Sequence, residues 1–274
     1  MRKKSAGVQA NGGEELEGVW LRTALFELLF FVVNRMAIAI LRDRVTGAIP
    51  RMNEPKPAMN EKSAIAVRMR ENLDSEEFPK SSAWELAKAL RFDADWQGKN
   101  ADPERETEVR LLWTPEALYL GFRARFRIIT VFPDAEPNGR RDQLWDRDVA
   151  EVFLQPDPSN LRRYKEFEVS PNGMWIDLNI APGEKHDLKS GMRRRVLLNE
   201  INKTWIAELA IPMKSLVDRF DPEAAWRVNF YRVEGAREPR FYSAWRPTGT
   251  PVPNFHVPEA FGRLIFADDA SVRK

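Results

Sequence analysis

The stretch Leu118-Tyr119-Leu120-Gly121-Phe122-Arg123-Ala124-Arg125-Phe126-Arg127 decides the fold. Leu118, Leu120, Phe122, Ala124 and Phe126 alternate with Tyr119, Gly121, Arg123, Arg125 and Arg127. A period of two turns the apolar set toward a core and the arginines toward water, which makes the stretch a half-buried strand. Residues 109–113 form a second apolar run, and Thr114-Pro115-Glu116-Ala117 between the two is short enough for a hairpin connection.

The same texture continues on both sides. Residues 165–169 and 174–180 flank Ser170-Pro171-Asn172-Gly173, a turn signal because Asn and Gly tolerate positive φ. Residues 195–198 and 204–211 flank 199–203 in the same way, and further strands are expected at 149–154, 226–233, 240–245 and 262–266. About ten strands with little helix argue for an all-β, antiparallel β-sandwich of jelly-roll or immunoglobulin-like type. One short helix is expected at 212–220, where Met213, Leu216, Val217 and Phe220 recur at helical spacing.

The first sixty residues differ. Residues 1–18 are polar and Gly/Glu-rich and read as disordered. Residues 20–41 are apolar but carry Arg22, Glu27, Asn34 and Arg35, and interior charges at roughly 2.5–3.5 kcal/mol each argue against a membrane span. An amphipathic helix is one reading. A secretory signal is another, with Arg2-Lys3-Lys4 as its basic start, 24–33 as its apolar stretch and Ala37-Ile38-Ala39 as its cleavage pattern; Glu27 stands against it. Pro50, Pro55 and Pro57 mark a linker. The chain thus divides into an extension with linker at 1–63 and a β-sandwich at 64–274.

Composition excludes several functions. The 43 Lys plus Arg nearly balance the 41 Asp plus Glu, and a net charge of +2 argues against nucleic acid as a partner. Arg193-Arg194-Arg195 and Arg140-Arg141 read as solvated turns or strand edges. The absence of cysteine removes disulfides, thiolate zinc sites and cysteine nucleophiles together, and two histidines, His186 and His256, are too few for a histidine-rich metal centre.

The chemistry gathers around Trp145-Asp146-Arg147-Asp148-Val149-Ala150-Glu151-Val152-Phe153-Leu154. A strand with apolar residues on both faces carries one carboxylate, and a buried charge needs a cation or several donors. Glu151 shares its face with Val149 and Phe153 and has two readings: acceptor of ligand hydroxyls, or partner of a strand arginine such as Arg232 or Arg246, which could also orient it for a ligand. Trp145 lies at a loop-to-strand junction, where sites usually sit. Trp245 precedes a proline-stiffened loop, Thr248-Gly249-Thr250-Pro251-Val252-Pro253-Asn254. Each tryptophan reads equally as a core residue. Asn254 and His256 beside that loop can donate to a ligand, whereas Trp175, Trp205 and Trp226 read as packing residues.

In order and spacing, the 118–126 strand, the Trp145 to Phe153 segment, Phe167-Glu168-Val169-Ser170-Pro171-Asn172-Gly173, Trp205-Ile206-Ala207-Glu208-Leu209-Ala210-Ile211-Pro212 and Phe261-Gly262-Arg263-Leu264-Ile265-Phe266 together resemble the family 9 carbohydrate-binding modules and their wider relatives. The resemblance covers about 64–266. It implies a non-catalytic sandwich that holds a mono- or oligosaccharide between two tryptophan rings, Trp145 and Trp245, with Glu151 accepting hydroxyls; Arg232, expected beside Glu151, and Asn254 and His256, beside the proline loop, are added as candidate contacts from their own placement. It also implies attachment to glycoside hydrolases and polysaccharide breakdown, secretion or a periplasmic location, and structural calcium as the one inorganic group to expect. Asp146, Asp148, Asp157 and Asp177 offer oxygen ligands for such an ion, without a contiguous calcium loop. The chain departs from the family pattern at Glu168, where a basic residue can grip the sugar. Two other classes stay open: a glycosidase pairing Glu151 with Glu168 or Glu208, and a protein-interaction or envelope sandwich without a sugar ligand.

Overall fold

The computed structural model describes residues 63–268, apart from 71, 72, 74–76 and 137. The expectations for residues 1–62 lie outside the described residues. In chain order the elements are β1 (Ser63–Arg68), α1 (Ser81–Trp84), β2 (Leu90–Phe92), β3 (Thr107–Trp113), β4 (Ala117–Arg125), β5 (Val149–Gln155), β6 (Tyr164–Val169), β7 (Trp175–Ala181), β8 (Glu184–Asp187), β9 (Arg193–Asn199), β10 (Thr204–Pro212), β11 (Trp226–Glu234), β12 (Phe241–Ala244) and β13 (Gly262–Ala267).

The strands form one curled sheet in the order β8-β7-β6-β5-β11-β13-β1-β3-β4-β10-β9, with β12 on β11 and β2 on β3. Its two halves fold over each other. Ala150, Val152, Leu154, Phe167, Val169 and Phe230 from one half pack against Leu118, Leu120, Phe122, Trp205 and Leu209 from the other. Phe122 meets Phe230 edge to face at 6.2 Å. The inward set along β4 is placed as expected, with Leu118, Leu120, Phe122 and Ala124 at 0–1% exposure, and Arg123 and Arg125 are exposed. Tyr119 on the other face, however, is buried in a separate apolar cluster with Leu112 and Ala210. The Ser170 turn also forms, and Gly173 takes φ +82°, where a side chain would be strained.

Two expectations change, and one strand, β8, had no counterpart among them. The sheet is not antiparallel throughout, because β1 runs parallel to both β13 and β3; a period-two pattern assigns a face, not a direction. The helix at 212–220 is a single 3-10 turn, Met213–Ser215. Met213 and Leu216 are buried and Val217 and Phe220 pack on the core, so their spacing marks inward-facing residues without a helix. β8 is exposed along its whole length and carries no apolar pattern to read.

A second apolar layer covers the outer face of β5, β6, β7 and β11. Phe153, Tyr164, Tyr231 and Val233 rise from the strands, and Phe255 and Phe261 close over them from the loop before β13. Phe153 contacts Tyr164, Tyr231 and Phe261 with ring centroids 4.9–6.2 Å apart. This layer holds the edge of the functional cleft in place.

Candidate functional site

Cross-strand partners share a sheet face, so register decides which side chains meet. Glu151 on β5 stands opposite Glu168 on β6, and Phe153 opposite Glu166. On the other side Glu151 pairs with Tyr231 and Val149 with Val233 on β11, and Val233 pairs in turn with Tyr242 on β12. These residues all lie on the outer face. They build a cleft of about 270 Å³ with Glu151, Glu166 and Glu168 at its base. Trp145, Lys185, Arg240, Tyr242 and the segment Pro253, Asn254, Phe255 and His256 line the rest of it, with the Arg240 guanidinium 4.8 Å from the centre of the Tyr242 ring.

The base is acidic and buried. Glu151 is 2% exposed, Glu166 2% and Glu168 0%. One oxygen from each lies within 4.8 Å of the others. Both oxygens of Glu168 and Oε2 of Glu166 find no hydrogen-bond partner. Burial first, then the neighbouring carboxylates, pushes the carboxyls of Glu151 and Glu168 well above the ordinary range; Lys185 opposes this for both, and Arg240 for Glu151. Lys185 Nζ lies 3.7 Å from Glu166 Oε1 and 3.8 Å from the centre of the Trp145 ring. Arg240 Nη1 donates to the Trp145 carbonyl at 2.8 Å, which fixes the start of the 3-10 turn Leu144–Asp146 against β12.

The rim is aromatic and partly polar. The Tyr242 hydroxyl donates to Glu238 at 2.5 Å, and burial pushes its pKa up to about 12. His256 Nδ1 and the Tyr164 hydroxyl are hydrogen-bonded at 2.7 Å. Burial lowers the pKa of His256 and raises that of Tyr164.

Of the six residues expected to contact a ligand, Trp145, Glu151, Asn254 and His256 line this cleft. Trp245 and Arg232 do not. Trp245 is 5% exposed within the inter-sheet core, its ring 5.6 Å from that of Phe230, so it cannot form the opposite wall of a clamp. The residue that reaches the cleft from this segment is Tyr242, which has the opposite parity. Arg232 is 0% exposed and points inward, with its guanidinium over Trp205 at 5.3 Å and its Nη2 on Glu234 at 3.2 Å. The expected ion pair from Glu151 to Arg232 or Arg246 does not form either: Arg246 Nε donates to the Ala260 carbonyl.

Three of the four aspartates offered for structural calcium accept hydrogen bonds from backbone amides. Asp148 accepts from the Gly235 and Thr130 amides, Asp177 from the Lys189 and Ser190 amides, and Asp157 from the Ser159 amide.

Glu166, Lys185, Arg240 and Tyr242 escaped sequence reading. Glu166 and Glu168 alternate with Phe167 and Val169, so their shared face was legible; that it coincides with the face of Glu151 depends on register.

The sequence profile of the family described as "Carbohydrate family 9 binding domain-like" matches residues 80–268. The chain belongs to this family. Among curated proteins it is similar to an "Extracellular protein" of Arthroderma benhamiae, 24% identical over 182 residues that make up 60% of this chain and 80% of the relative. Among solved structures, a Bacteroides uniformis protein provisionally described as carbohydrate-binding superposes with a TM-score of 0.58 at 19% identity, covering 76% of this chain and all of the other. A family 9 module of Caldicellulosiruptor kristjanssonii in complex with cellotriose gives 0.55 at 15% identity, covering 76% of this chain and 94% of the module. The glucose complex gives 0.53 at 14%, with 76% and 96% covered. At these identities the structural likeness establishes the fold of this family 9 domain. Among the described residues no helix is long and apolar enough to cross a membrane.

Proposed function

We infer that this family 9 domain binds a sugar without cleaving it, in the cleft between Trp145 and Tyr242, with the carboxylates at the base accepting hydroxyls. The observation that carries this reading is the placement of buried acceptors at the bottom of a half-apolar, aromatic-rimmed cleft on a sheet face. A saccharide has the complementary chemistry, with hydroxyl donors for orphaned oxygens and C–H faces for rings. The volume of about 270 Å³ lies at the small end of the roughly 300–1,000 Å³ typical of ligand pockets. It favours a single sugar unit, free or at a chain end, over an internal stretch.

The spacing of the acids supports binding over hydrolysis. Glycosidases place two carboxyl groups about 5–9.5 Å apart on opposite sides of the bond they cleave. Here three acidic oxygens converge within 4.8 Å on one surface. The name of the fungal relative and the glucose and cellotriose in the bacterial complexes support a role outside the cell, in the recognition of glucose-containing saccharides.

Calorimetric titration of the full chain with glucose and cellotriose tests the reading. Saturable binding that is lost in Trp145→Ala and in Glu151→Gln is expected. Heat changes indistinguishable from buffer for both sugars, or turnover of either, would overturn it.

A further inference from the structure

We propose that Glu151, Glu166 and Glu168 form a binding site for a hard divalent cation of the calcium class at the base of the cleft. Two neighbouring strands supply it: Glu168 on β6 stands directly opposite Glu151 on β5, and Glu166 lies two residues along β6 on the same face, opposite Phe153. Two carboxylates cannot hydrogen-bond to each other without a proton, and the Glu168 side chain has no donor from the protein at either oxygen although it is 0% exposed. A fully buried carboxyl group aimed into a cleft with no donor either keeps its proton or takes up a positive partner, and the open cleft beside Glu168 gives a cation access to it.

Lys185 supplies only part of that charge. Its ammonium approaches Glu166 at 3.7 Å and leaves Glu166 Oε2 and both Glu168 oxygens without a partner. The Arg240 guanidinium is bonded to Glu238 and to the Trp145 carbonyl. Oxygens within 4.8 Å of one another can share an ion at the roughly 2.3–2.6 Å of calcium–oxygen bonds. The set is all oxygen, with no nitrogen or sulfur, which selects calcium or a similar hard ion over zinc or copper.

The site belongs to the cleft rather than to the scaffold. Its three residues line the same cavity as Trp145 and Asn254, so a bound ion keeps coordination positions open toward the ligand. If the carbohydrate reading is right, those positions suit a pair of adjacent sugar hydroxyls.

The experiment uses the full chain, freed of metal with a chelator and titrated with calcium chloride in the absence of sugar. Terbium is titrated in parallel, because Trp145 lies beside the site and can sensitise its emission. Saturable binding of both ions is expected, with affinity reduced at least tenfold in Glu168→Gln and Glu166→Gln. Lys185→Met removes the competing ammonium and should strengthen binding. Thermal melts in chelator show whether each variant is folded. Absence of calcium and terbium binding in both the wild type and Lys185→Met would overturn the proposal, as would unchanged affinity in folded Glu168→Gln. Because sugar is absent, these outcomes are separate from those of the glucose titration: cation binding without glucose binding would refute the sugar reading alone.

Discussion

Lys185 holds its ammonium against the face of the Trp145 ring, 3.8 Å from the ring centre. One face of the indole is therefore covered by the chain's own cation, and Trp145 meets a ligand from its remaining surface. The contact itself is worth about 0.5–1 kcal/mol at a partly exposed site. Trp145 also packs on the second apolar layer, so Trp145→Ala should lower stability by less than the roughly 3–5 kcal/mol of a fully buried aromatic while abolishing glucose binding. Urea denaturation and calorimetry on the same preparation check both halves.

Trp245 should behave in the opposite way. It is buried among the side chains between the two halves of the sheet, against Phe230. Removing a large core aromatic costs about 3–5 kcal/mol. Trp245→Ala should show a loss of this size in urea denaturation, and Trp245→Phe, which keeps most of the volume, should bind glucose as the wild type does. Weakened binding in the folded Trp245→Phe protein would restore the two-tryptophan clamp.

The contrast between these two residues shows what a sequence can carry. The strand at 118–126 was legible because its apolar and polar residues alternate with a period of two, whereas those at 149–154 and 226–233, buried on both faces, were legible as short apolar runs. That Glu151 shares a face with Val149 and Phe153 follows from strand alternation alone. Pairing was not: Tyr242 and Trp245 differ in parity, and only the Val233 to Tyr242 register on β12 tells which face meets Glu151. The three acids come from two segments whose contact is equally a matter of register. Lys185 sits on an exposed edge strand with no pattern at all.

Arg232 gives a stability prediction with no direct part for the ligand. Its guanidinium is 0% exposed and paired with Glu234, near Asp148. Breaking a buried pair strands the remaining charge at a cost of about 3–5 kcal/mol. Arg232→Met should lose that much in urea denaturation, and Arg232→Met with Glu234→Gln should recover part of it.

His256 sets an acid limit on stability. Burial lowers its pKa from the ordinary 6.5, so the folded protein holds a neutral imidazole where the unfolded chain would already be protonated. Its contribution is complete above the unfolded value near 6.5 and is lost as pH falls from there through the lower folded value. Wild type should therefore lose stability relative to His256→Gln over that window, read from urea midpoints at successive pH values. A parallel pH dependence in both proteins would mean that His256 titrates normally.

Tyr242 separates ring from hydroxyl at the cleft wall. Its hydroxyl is taken up by Glu238 at 2.5 Å, and burial with that bond holds the phenol protonated, its pKa pushed up to about 12. What it offers a ligand is therefore the ring. Stacking of a flat ligand on an aromatic side chain is worth roughly 1–3 kcal/mol by analogy with base stacking. Tyr242→Phe should bind glucose within about threefold of the wild type, a difference below roughly 1 kcal/mol. Tyr242→Ala should lose at least about tenfold, which corresponds to about 1.4 kcal/mol. Equal losses in the two variants would mean that the hydroxyl, and not the ring, contacts the sugar.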